Sequence, residues 1–544
     1  MPASVWPEPA QFGRNLLFVA FQTRKAYTEK RYLWGLCGIF RRRMQKGGLM
    51  KRSTKWIIAA AAAVVVIAVT VVVLVVTGVF KKDPDDDRKK REEKDKFLLA
   101  AAVYPEFKNN PKMPELEHDE DYYYEHEDEL DKLYELYEAY EEQAEAYAEE
   151  LVELRKDLEA YGQEKAVGAV ADFTQASMQV LLSNRNGANR VYSPINIYLM
   201  LGMLSEITDG SSRQQLLALA GADSVEDLRE RSKALWNSLY RNDGDSKCVL
   251  ASSFWLSDDL EGAYNKKTLD ILAKEHRASA FSGQMGSEAY NDELHKWINS
   301  QTGNLLEEAA GNLKFDRDTV LALVTTILYE AKWDEVFYED RTAPDTFHAE
   351  SGDVTANFMH EKQFGRYYYG DNFKAVFKDM AYDYAGSLGT MWFILPEEGT
   401  GVDALLSDPQ LGQLLSELEG YENAGIATIN FAVPKFDISY DTSIIDPLRK
   451  MGVTDLFDPG KADFSPLMDD DSLFVDQAEH AARLMVDEDG VKAAAFTFVS
   501  VSKSAKPEEA EVLDFKLDRP FLFVLCSDTG IPLFVGVVEN PLLP

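Results

Sequence analysis

The hydrophobic and polar positions divide the chain into unlike parts. Residues 56–80 contain no charged side chain, and at a rise of about 1.5 Å per residue a helix of this length crosses a bilayer core of about 30 Å. From residue 166 onward, helical spacing in "YSPINIYLMLGMLSEI" gives way to strand-like runs such as "GTMWFILP" and "RPFLFVLCS". These patterns predict a transmembrane helix at 56–80 and one α+β globular domain at 166–544.

An acidic stretch with a hydrophobic heptad separates these two parts. Between Glu115 and Glu159 there are twenty acidic side chains and three basic ones, and apolar residues recur at alternating spacings of three and four. They are Leu130, Leu133, Tyr137, Tyr140, Ala144, Tyr147, Leu151, Leu154, Leu158 and Tyr161. We interpret residues 81–165 as a charged stalk that forms either a coiled coil or a single helix packed on its own domain. Self-association stays open, because the flanking glutamates of identical parallel helices would repel each other.

The segment before the predicted span indicates its orientation. Residues 1–55 are basic, with seven arginines and lysines between Arg41 and Lys55, which favours a cytoplasmic amino terminus and an extracellular globular domain. Residues 1–49 lack clear periodicity, whereas Met50 opens "MKRSTKW", a normal basic start for an anchor. We therefore expect a single-pass protein of the cell membrane and hypothesise that its translation starts at Met50.

Composition and missing motifs argue against several functions. The formal net charge of −35 disfavours nucleic-acid binding, which needs clustered lysine and arginine. The three cysteines, Cys37, Cys248 and Cys526, form no close pair for a disulfide framework or a zinc site. The chain contains neither a G-x-S-x-G elbow, nor a phosphate-binding loop, nor an H-E-x-x-H helix. The sequence therefore supports neither an enzyme nor a cofactor or metal site.

Near the carboxyl terminus a strand pattern passes into a polar loop. After Gly490, small or β-branched side chains alternate with a second set, and the run ends in "SKSAKPEEAE". The first set is Val491, Ala493, Ala495, Thr497, Val499 and Val501, and the second is Lys492, Ala494, Phe496, Phe498, Ser500 and Ser502. The pattern predicts a strand that continues into an exposed loop.

Several longer motifs occur together and in a fixed order. "LFVDQAEHAARLMVDEDGVKAAAFTF" precedes "LDRPFLFVLCSDTGIPLFVGVVENP", and upstream stand "NRVYSPINIYLM", "ILYEAKWDEVFYEDRTAPDTFH" and "LRKMGVTDLFDPGKADFSPL". This set resembles the serpins, a family of serine protease inhibitors, over roughly residues 165–544. The resemblance implies an α+β serpin fold with three β-sheets, about nine helices and an exposed reactive-centre loop. With the compact anchor it suggests a bacterial surface protein.

In serpins the alternating segment is the reactive-centre loop, which a protease cleaves and which then enters the large sheet as an extra strand. The resemblance therefore implies a suicide inhibitor of serine proteases. Its hinge would comprise Glu488, Gly490, Val491, Lys492, Ala493, Ala494, Ala495 and Thr497. The inward side chains are small and uncharged, as insertion requires, and Gly490 would permit backbone rotation. Phe496 departs from the small residues of the family, but it should face outward and be tolerated.

The usual loop length places the cleaved bond between Ser504 and Ala505, which favours an elastase-like or subtilisin-like target. Lys503 as the residue before the cleaved bond would instead indicate a trypsin-like protease. Lys506 is disfavoured because Pro507 follows it. Papain-like cysteine proteases form a second target class.

Five residues match those with which serpins control the opening of the large sheet. Trp333 stands at the top of the sheet, and Ser193 and His480 match polar residues below its central strands. Asn196 and Thr325 stand where the family usually has serine and asparagine. The alternative for all five is a purely structural role in the core, and for the whole domain it is a non-inhibitory surface binding protein on the same fold.

Overall fold

The computed structural model describes residues 96–105, 107, 127–242, 246–259, 264–383, 386–416, 421–468, 473–491 and 511–544. The predicted basic segment 1–55 and the predicted transmembrane helix at 56–80 lie outside these ranges. Among the helices within them, none combines the length and the apolar character that a membrane span requires.

Eleven α-helices and nineteen β-strands occur in the described ranges. The helices are α1 (Glu127–Tyr161), α2 (Gln163–Leu181), α3 (Pro194–Ile207), α4 (Gly210–Ala220), α5 (Val225–Leu239), α6 (Lys266–Glu275), α7 (Glu288–Gln301), α8 (Glu307–Asn312), α9 (Val402–Leu405), α10 (Pro409–Ser416) and α11 (Ile445–Lys450). The strands are β1 (Leu98–Ala100), β2 (Arg190–Tyr192), β3 (Arg241–Asn242), β4 (Lys247–Ser257), β5 (Ala278–Gly283), β6 (Leu321–Lys332), β7 (Ala343–Ala349), β8 (Gly352–Tyr369), β9 (Phe373–Asp379), β10 (Tyr382–Asp383), β11 (Gly386–Ser387), β12 (Thr390–Pro396), β13 (Ala424–Pro434), β14 (Phe436–Ser443), β15 (Gln477–Val486), β16 (Gly490–Val491), β17 (Glu511–Lys516), β18 (Phe521–Cys526) and β19 (Pro532–Val538). The helices outnumber the expected nine, partly because α1 lies in the predicted stalk.

Two large sheets form the framework of the domain. Hydrogen bonds connect the first in the order β1-β5-β4-β6-β16-β15-β14, with β3 beside β4. The second has the order β17-β13-β8-β9-β12-β18-β19-β2, with β7 beside β8, while β10 and β11 form a separate hairpin. The 18-residue strand β8 pairs with β13 and then with β9. The resemblance implies three β-sheets, and two of them are joined to each other in this second, nine-stranded sheet.

Helix α3 runs through the main core. Its sequence is apolar on all sides and all its side chains are buried, a pattern typical of a helix surrounded by protein. The helix begins after Ser193, whose hydroxyl accepts the backbone N–H of Asn196 at 3.3 Å, and Pro194 occupies the first turn. A smaller core around Trp255 packs α7 against the eight-stranded sheet. The cap residue Ser193 lies against the same eight-stranded sheet, where its backbone N–H donates to His480 of β15.

The predicted stalk belongs to the folded domain wherever it is described. Strand β1 pairs antiparallel with β5 at the edge of the eight-stranded sheet, and the N–H of Val103 donates to the carbonyl of Ala273 at 2.9 Å. The helix α1 packs on α5, and its buried apolar side chains are Ala144, Tyr147, Ala148, Leu151 and Leu158. From Ala144 onward, α1 is a single helix packed on the domain.

Polar contacts also join α1 to the domain. The Arg155 guanidinium lies 3.2 Å from the Asp528 carboxylate, and the Asn237 side chain donates to Asp157 at 2.8 Å. Tyr104, upstream of α1, packs against the rings of Trp236 and Tyr240. Heptad spacing fits a coiled coil and a single amphipathic helix equally well, so the sequence did not show which surface the apolar side of α1 packs against.

Candidate functional site

The two-residue strand β16 separates its neighbours at one end of the eight-stranded sheet. Gly490 and Val491 pair antiparallel with Lys332 and Ala331 of β6. Val491 also pairs with Val486 of β15. This end of the sheet is therefore open between β6 and β15, and among the residues that the structure describes, Gly490 and Val491 occupy the opening.

At the opposite end β6 and β15 pair with each other directly and in parallel. The paired residues are Ala322 with Gln477 and Leu323 with Ala478. Between this pairing and β16, no backbone pairing joins β6 to β15, although every residue of the two strands is described. We call this unpaired region, with β6 on one side and β15 on the other, the fork.

One register holds along the whole fork. An offset of 155 residues relates Ala322 to Gln477 at the paired end. The same offset relates Ala331 to Val486, which share Val491 as their common partner at the open end. A strand that continued from Val491 would therefore match both neighbours without a bulge.

Gly490 allows β16 to approach β6 closely. A Cβ atom on this residue would lie 2.2 Å from the carbonyl oxygen of Ala331 and 2.8 Å from the Cα of Lys332. Its φ is not in the left-handed region. In this conformation glycine is required by the close contact between strands, which differs from the backbone rotation predicted from the sequence.

Trp333 secures the turn between β15 and β16. Its side chain is 2% exposed, its indole N–H donates to the carbonyl of Asp487 at 2.9 Å, and its backbone N–H donates to that of Asp489 at 3.0 Å. The Asp487 carboxylate accepts the backbone N–H groups of Asp489 and Gly490 at 3.0 and 3.2 Å. Trp333 thus lies at the open end of the fork.

Glu488 in the same turn is bonded from two sides. Its carboxylate lies 2.5 Å from Lys435 Nζ and accepts the Thr342 hydroxyl at 2.9 Å. Burial by itself would raise the pKa of Glu488, but the hydrogen bonds from Lys435 and Thr342 outweigh it and leave the pKa below its ordinary value. Glu488 was predicted as a hinge residue, but its two partners were not, because they precede it by 53 and 146 positions.

A buried cation supports Trp333 and was also missed. Lys378 is 4% exposed, its Nζ lies 2.5 Å from Glu361, and it stands 4.5 Å from the ring centre of Phe337 and 5.8 Å from that of Trp333. Burial raises the pKa of Glu361, and the contact with Lys378 opposes this only in part. No sequence signal distinguishes Lys378 from Lys374, the other lysine of β9.

Three of the four predicted polar residues are joined by hydrogen bonds beneath the sheet. The backbone N–H of Ser193 donates to His480 Nε2 at 3.0 Å, and Ser193 in turn caps Asn196. Burial lowers the pKa of His480 to about 4, so the ring is neutral and carries its proton on Nδ1. Within the part of the chain that the structure describes, neither that nitrogen nor the Asn196 side-chain nitrogen has a hydrogen-bond partner. Thr325 occupies the equivalent position on β6, across the fork from His480.

A cavity of about 260 Å³ lies against the fork on the face opposite the main core. Helix α7 and the segment 306–315 cover it. Its lining combines apolar side chains, among them Leu294, Ile298, Leu306, Val324 and Ala481, with the polar side chains of Asn312, Lys314, Gln477 and Glu479. The fork is therefore backed by unfilled space rather than by a continuous packed layer.

The remaining predicted site residues lie outside the described residues. They are Lys492, Ala493, Ala494, Ala495, Thr497, Lys503, Ser504 and Ala505. The chain is described again from Glu511, in β17. The assignments of a cleaved bond and of the inner hinge positions stay predictions.

Comparison with known proteins gives a consistent family match. The family model described as "Serpin (serine protease inhibitor)" matches residues 168–541. An alpha-1-antitrypsin-like protein, GS55-MS, of Ictidomys tridecemlineatus is 28% identical over 381 residues, covering 69% of this chain and 88% of that relative. A serine protease inhibitor of Cyanea capillata is 26% identical, with coverages of 65% and 92%.

Solved structures agree on the fold. The native state of the thermophilic serpin tengpin is 26% identical and superposes with a TM-score of 0.62, covering 69% of this chain and 94% of tengpin. A complex of thyroxine-binding globulin with thyroxine matches with a TM-score of 0.59 at 22% identity, with coverages of 69% and 99%. The second likeness concerns the fold alone.

Proposed function

The chain belongs to the serpin family, and from this premise we propose that it inhibits serine proteases as a suicide substrate. The protease serine attacks the carbonyl carbon of a loop peptide bond, the C–N bond breaks, and the downstream amine departs. An ester then joins the protease to the upstream part of the loop. Insertion of that part into the sheet, before water hydrolyses the ester, would trap the protease.

The observation that carries this proposal is the fork between β6 and β15. Val491 pairs with both neighbouring strands and Gly490 pairs with β6, and further along β6 and β15 none of the strands that the structure describes lies between them. Continued antiparallel pairing would add about ten hydrogen-bonded residues. At about 1 kcal/mol net for each hydrogen bond, insertion gains on the order of 10 kcal/mol. This gain is comparable to the free energy of unfolding of a whole domain.

The register of the fork also suits the side chains of the loop. In this register Ala495 would lie between Ile327 and Ala482, both buried in the main core. Ala493 and Thr497 would share that face. Because these residues are small and uncharged, they could enter the core without burying an unpaired charge.

The proposed target follows from the predicted bond. Cleavage between Ser504 and Ala505 suits an elastase-like or subtilisin-like serine protease, and cleavage after Lys503 would suit a trypsin-like one. Cysteine proteases of the papain type are the second target class. The identity of the released carboxyl-terminal peptide distinguishes the two cleavage positions.

We also propose that a helix at 56–80 anchors the chain in a bacterial cell membrane, with the amino terminus inside and the inhibitor domain outside. The uncharged apolar run and the basic residues before it support this arrangement. The full chain should sediment with membranes, and added protease should reach its domain in intact cells. A chain that stays in the supernatant would overturn the anchor.

Incubation of the full chain with elastase or subtilisin tests the inhibitory function. We expect a covalent complex that survives SDS and a released peptide that begins at Ala505. The nicked protein should also melt at a higher temperature than the intact one. Complete cleavage without complex, and without a higher melting temperature, would favour the non-inhibitory binding protein.

A further inference from the structure

The cavity behind the fork lies against its outward positions. Val324 and Thr326 of β6 and Glu479 and Ala481 of β15 belong to its lining. These four residues alternate with core-facing neighbours, so their side chains share the face of the sheet that α7 covers. The volume of about 260 Å³ exceeds the roughly 150 Å³ in which an apolar protein cavity takes up a benzene ring.

The register of the fork assigns a loop residue to each of these positions. With Val491 paired to Ala331 and Val486, residue 496 would lie between Thr326 and Ala481. Residue 498 would lie two places further, between Val324 and Glu479. Both residues are phenylalanines, and they are the only aromatic side chains between residues 490 and 510.

We propose that this cavity receives the rings of Phe496 and Phe498 when the loop inserts. The inference rests on the proposed function and names a specific role for one face of the loop. An aromatic side chain at position 496 then contributes to the driving force for insertion, whereas the sequence alone indicated that it would only be tolerated. The small inward residues fill the core face, and the two rings fill the opposite face.

A neighbouring outward position is also matched to its surroundings. Lys492 would lie beside Glu330, a carboxylate that already binds Lys247 at 2.5 Å. That position is outside the cavity lining. The outward face of the loop thus presents a cation to an acidic site and aromatic rings to a cavity whose walls include Leu294, Ile298 and Val324.

The cavity lies where insertion meets resistance. Beyond Phe498 the next loop residue, Val499, would stand between Leu323 and Ala478, which pair directly before insertion. That pairing must break for the strand to advance further. Burial of two aromatic rings immediately before this point would offset the loss of the existing pairing.

The first test compares the full chain with a Phe496→Ala/Phe498→Ala double variant and with Lys492→Ala, an outward position outside the cavity. The three intact proteins should melt at the same temperature. Cleavage of the loop should raise the melting temperature of Lys492→Ala almost as much as that of the wild type, because a partly exposed contact with Glu330, which already pairs with Lys247, contributes little. The melting temperature of the double variant should rise less by roughly 5 °C. The double variant should also consume at least about twofold more inhibitor for each protease molecule inactivated.

An equal rise in melting temperature for the double variant and the wild type would overturn the inference while leaving the proposed function intact. Absence of any gain and of any complex in the wild type would instead overturn the proposed function. A double-mutant cycle that combines Ile298→Ala, in the cavity wall, with Phe498→Ala measures the coupling free energy between the two positions. Coupling between residues 298 and 498 should be present in the nicked protein and absent in the intact one, and equal coupling in both would contradict the seating of the ring.

Discussion

Replacement of Ala495 by glutamate tests which loop positions become interior. In the register of the fork, residue 495 of an inserted loop would lie between Ile327 and Ala482, which are 9% and 3% exposed. Both belong to the main core. Insertion of Ala495→Glu would bury a carboxylate there, and an unpaired ion costs several kcal/mol after relaxation of the protein. We take about 4 kcal/mol as the penalty.

This penalty is compared with an insertion gain on the order of 10 kcal/mol. The final state would remain favourable, so the variant should still insert once cleaved, but more slowly. If half of the penalty, about 2 kcal/mol, is present in the transition state, insertion slows roughly 30-fold. Hydrolysis of the ester then precedes insertion, and Ala495→Glu becomes mainly a substrate.

Ala494→Glu is the matched control, because it adds the same side chain to the outward face. Residue 494 would lie beside Leu328 and Arg483, and the guanidinium of Arg483 is partly exposed next to Asp437. Densitometry of the SDS-stable complex and mass spectrometry of the released peptide should show complex with Ala494→Glu and mostly cleaved monomer with Ala495→Glu. Equal complex formation by both variants would refute the register, and equal loss would refute the distinction between the two faces.

Three further predictions concern the intact protein. Burial lowers the pKa of His480 to about 4, so between about pH 6.5 and 4 the unfolded chain binds a proton that the folded chain does not. The free energy of unfolding should therefore fall by about 3 kcal/mol as the pH drops through that window. Urea unfolding at pH 7 and pH 5 should show a smaller fall for His480→Gln than for the wild type. Lys435→Met removes a partly exposed ion-pair partner of Glu488 and should lower the free energy of unfolding by about 1 kcal/mol; a double-mutant cycle with Glu488→Gln that shows no coupling would count against the pair. Tyr104→Ala should lower the free energy of unfolding by about 3 kcal/mol in a thermal melt, because its ring packs on two aromatic rings of the domain. Leu99→Ala, at a residue that is 45% exposed, should change it by no more than about 0.5 kcal/mol, and equal melting temperatures of the two variants would argue against the packing of Tyr104 on the domain.

Local patterns predicted much of the fold. The helix α3 follows from an apolar run that a polar cap precedes, and α1 follows from its heptad spacing. Each of these signals lies within consecutive residues and depends on propensity and periodicity alone. The alternation from Val491 to Val501 likewise indicates which loop residues suit a sheet interior, because small and β-branched side chains pack there without burying charge.

Partners from distant parts of the chain escaped prediction for a physical reason. Glu488 meets Lys435 and Thr342, and Trp333 meets Lys378, only because strands from separate regions converge at one end of the sheet. The attachment of β1 and α1 to the domain escaped for the same reason, since a heptad does not indicate what covers it. The sequence by itself determined which side chains could enter the sheet. Only the tertiary structure decided where the fork opens and that a cavity lies behind it, because the register between strands depends on contacts between residues far apart in the chain.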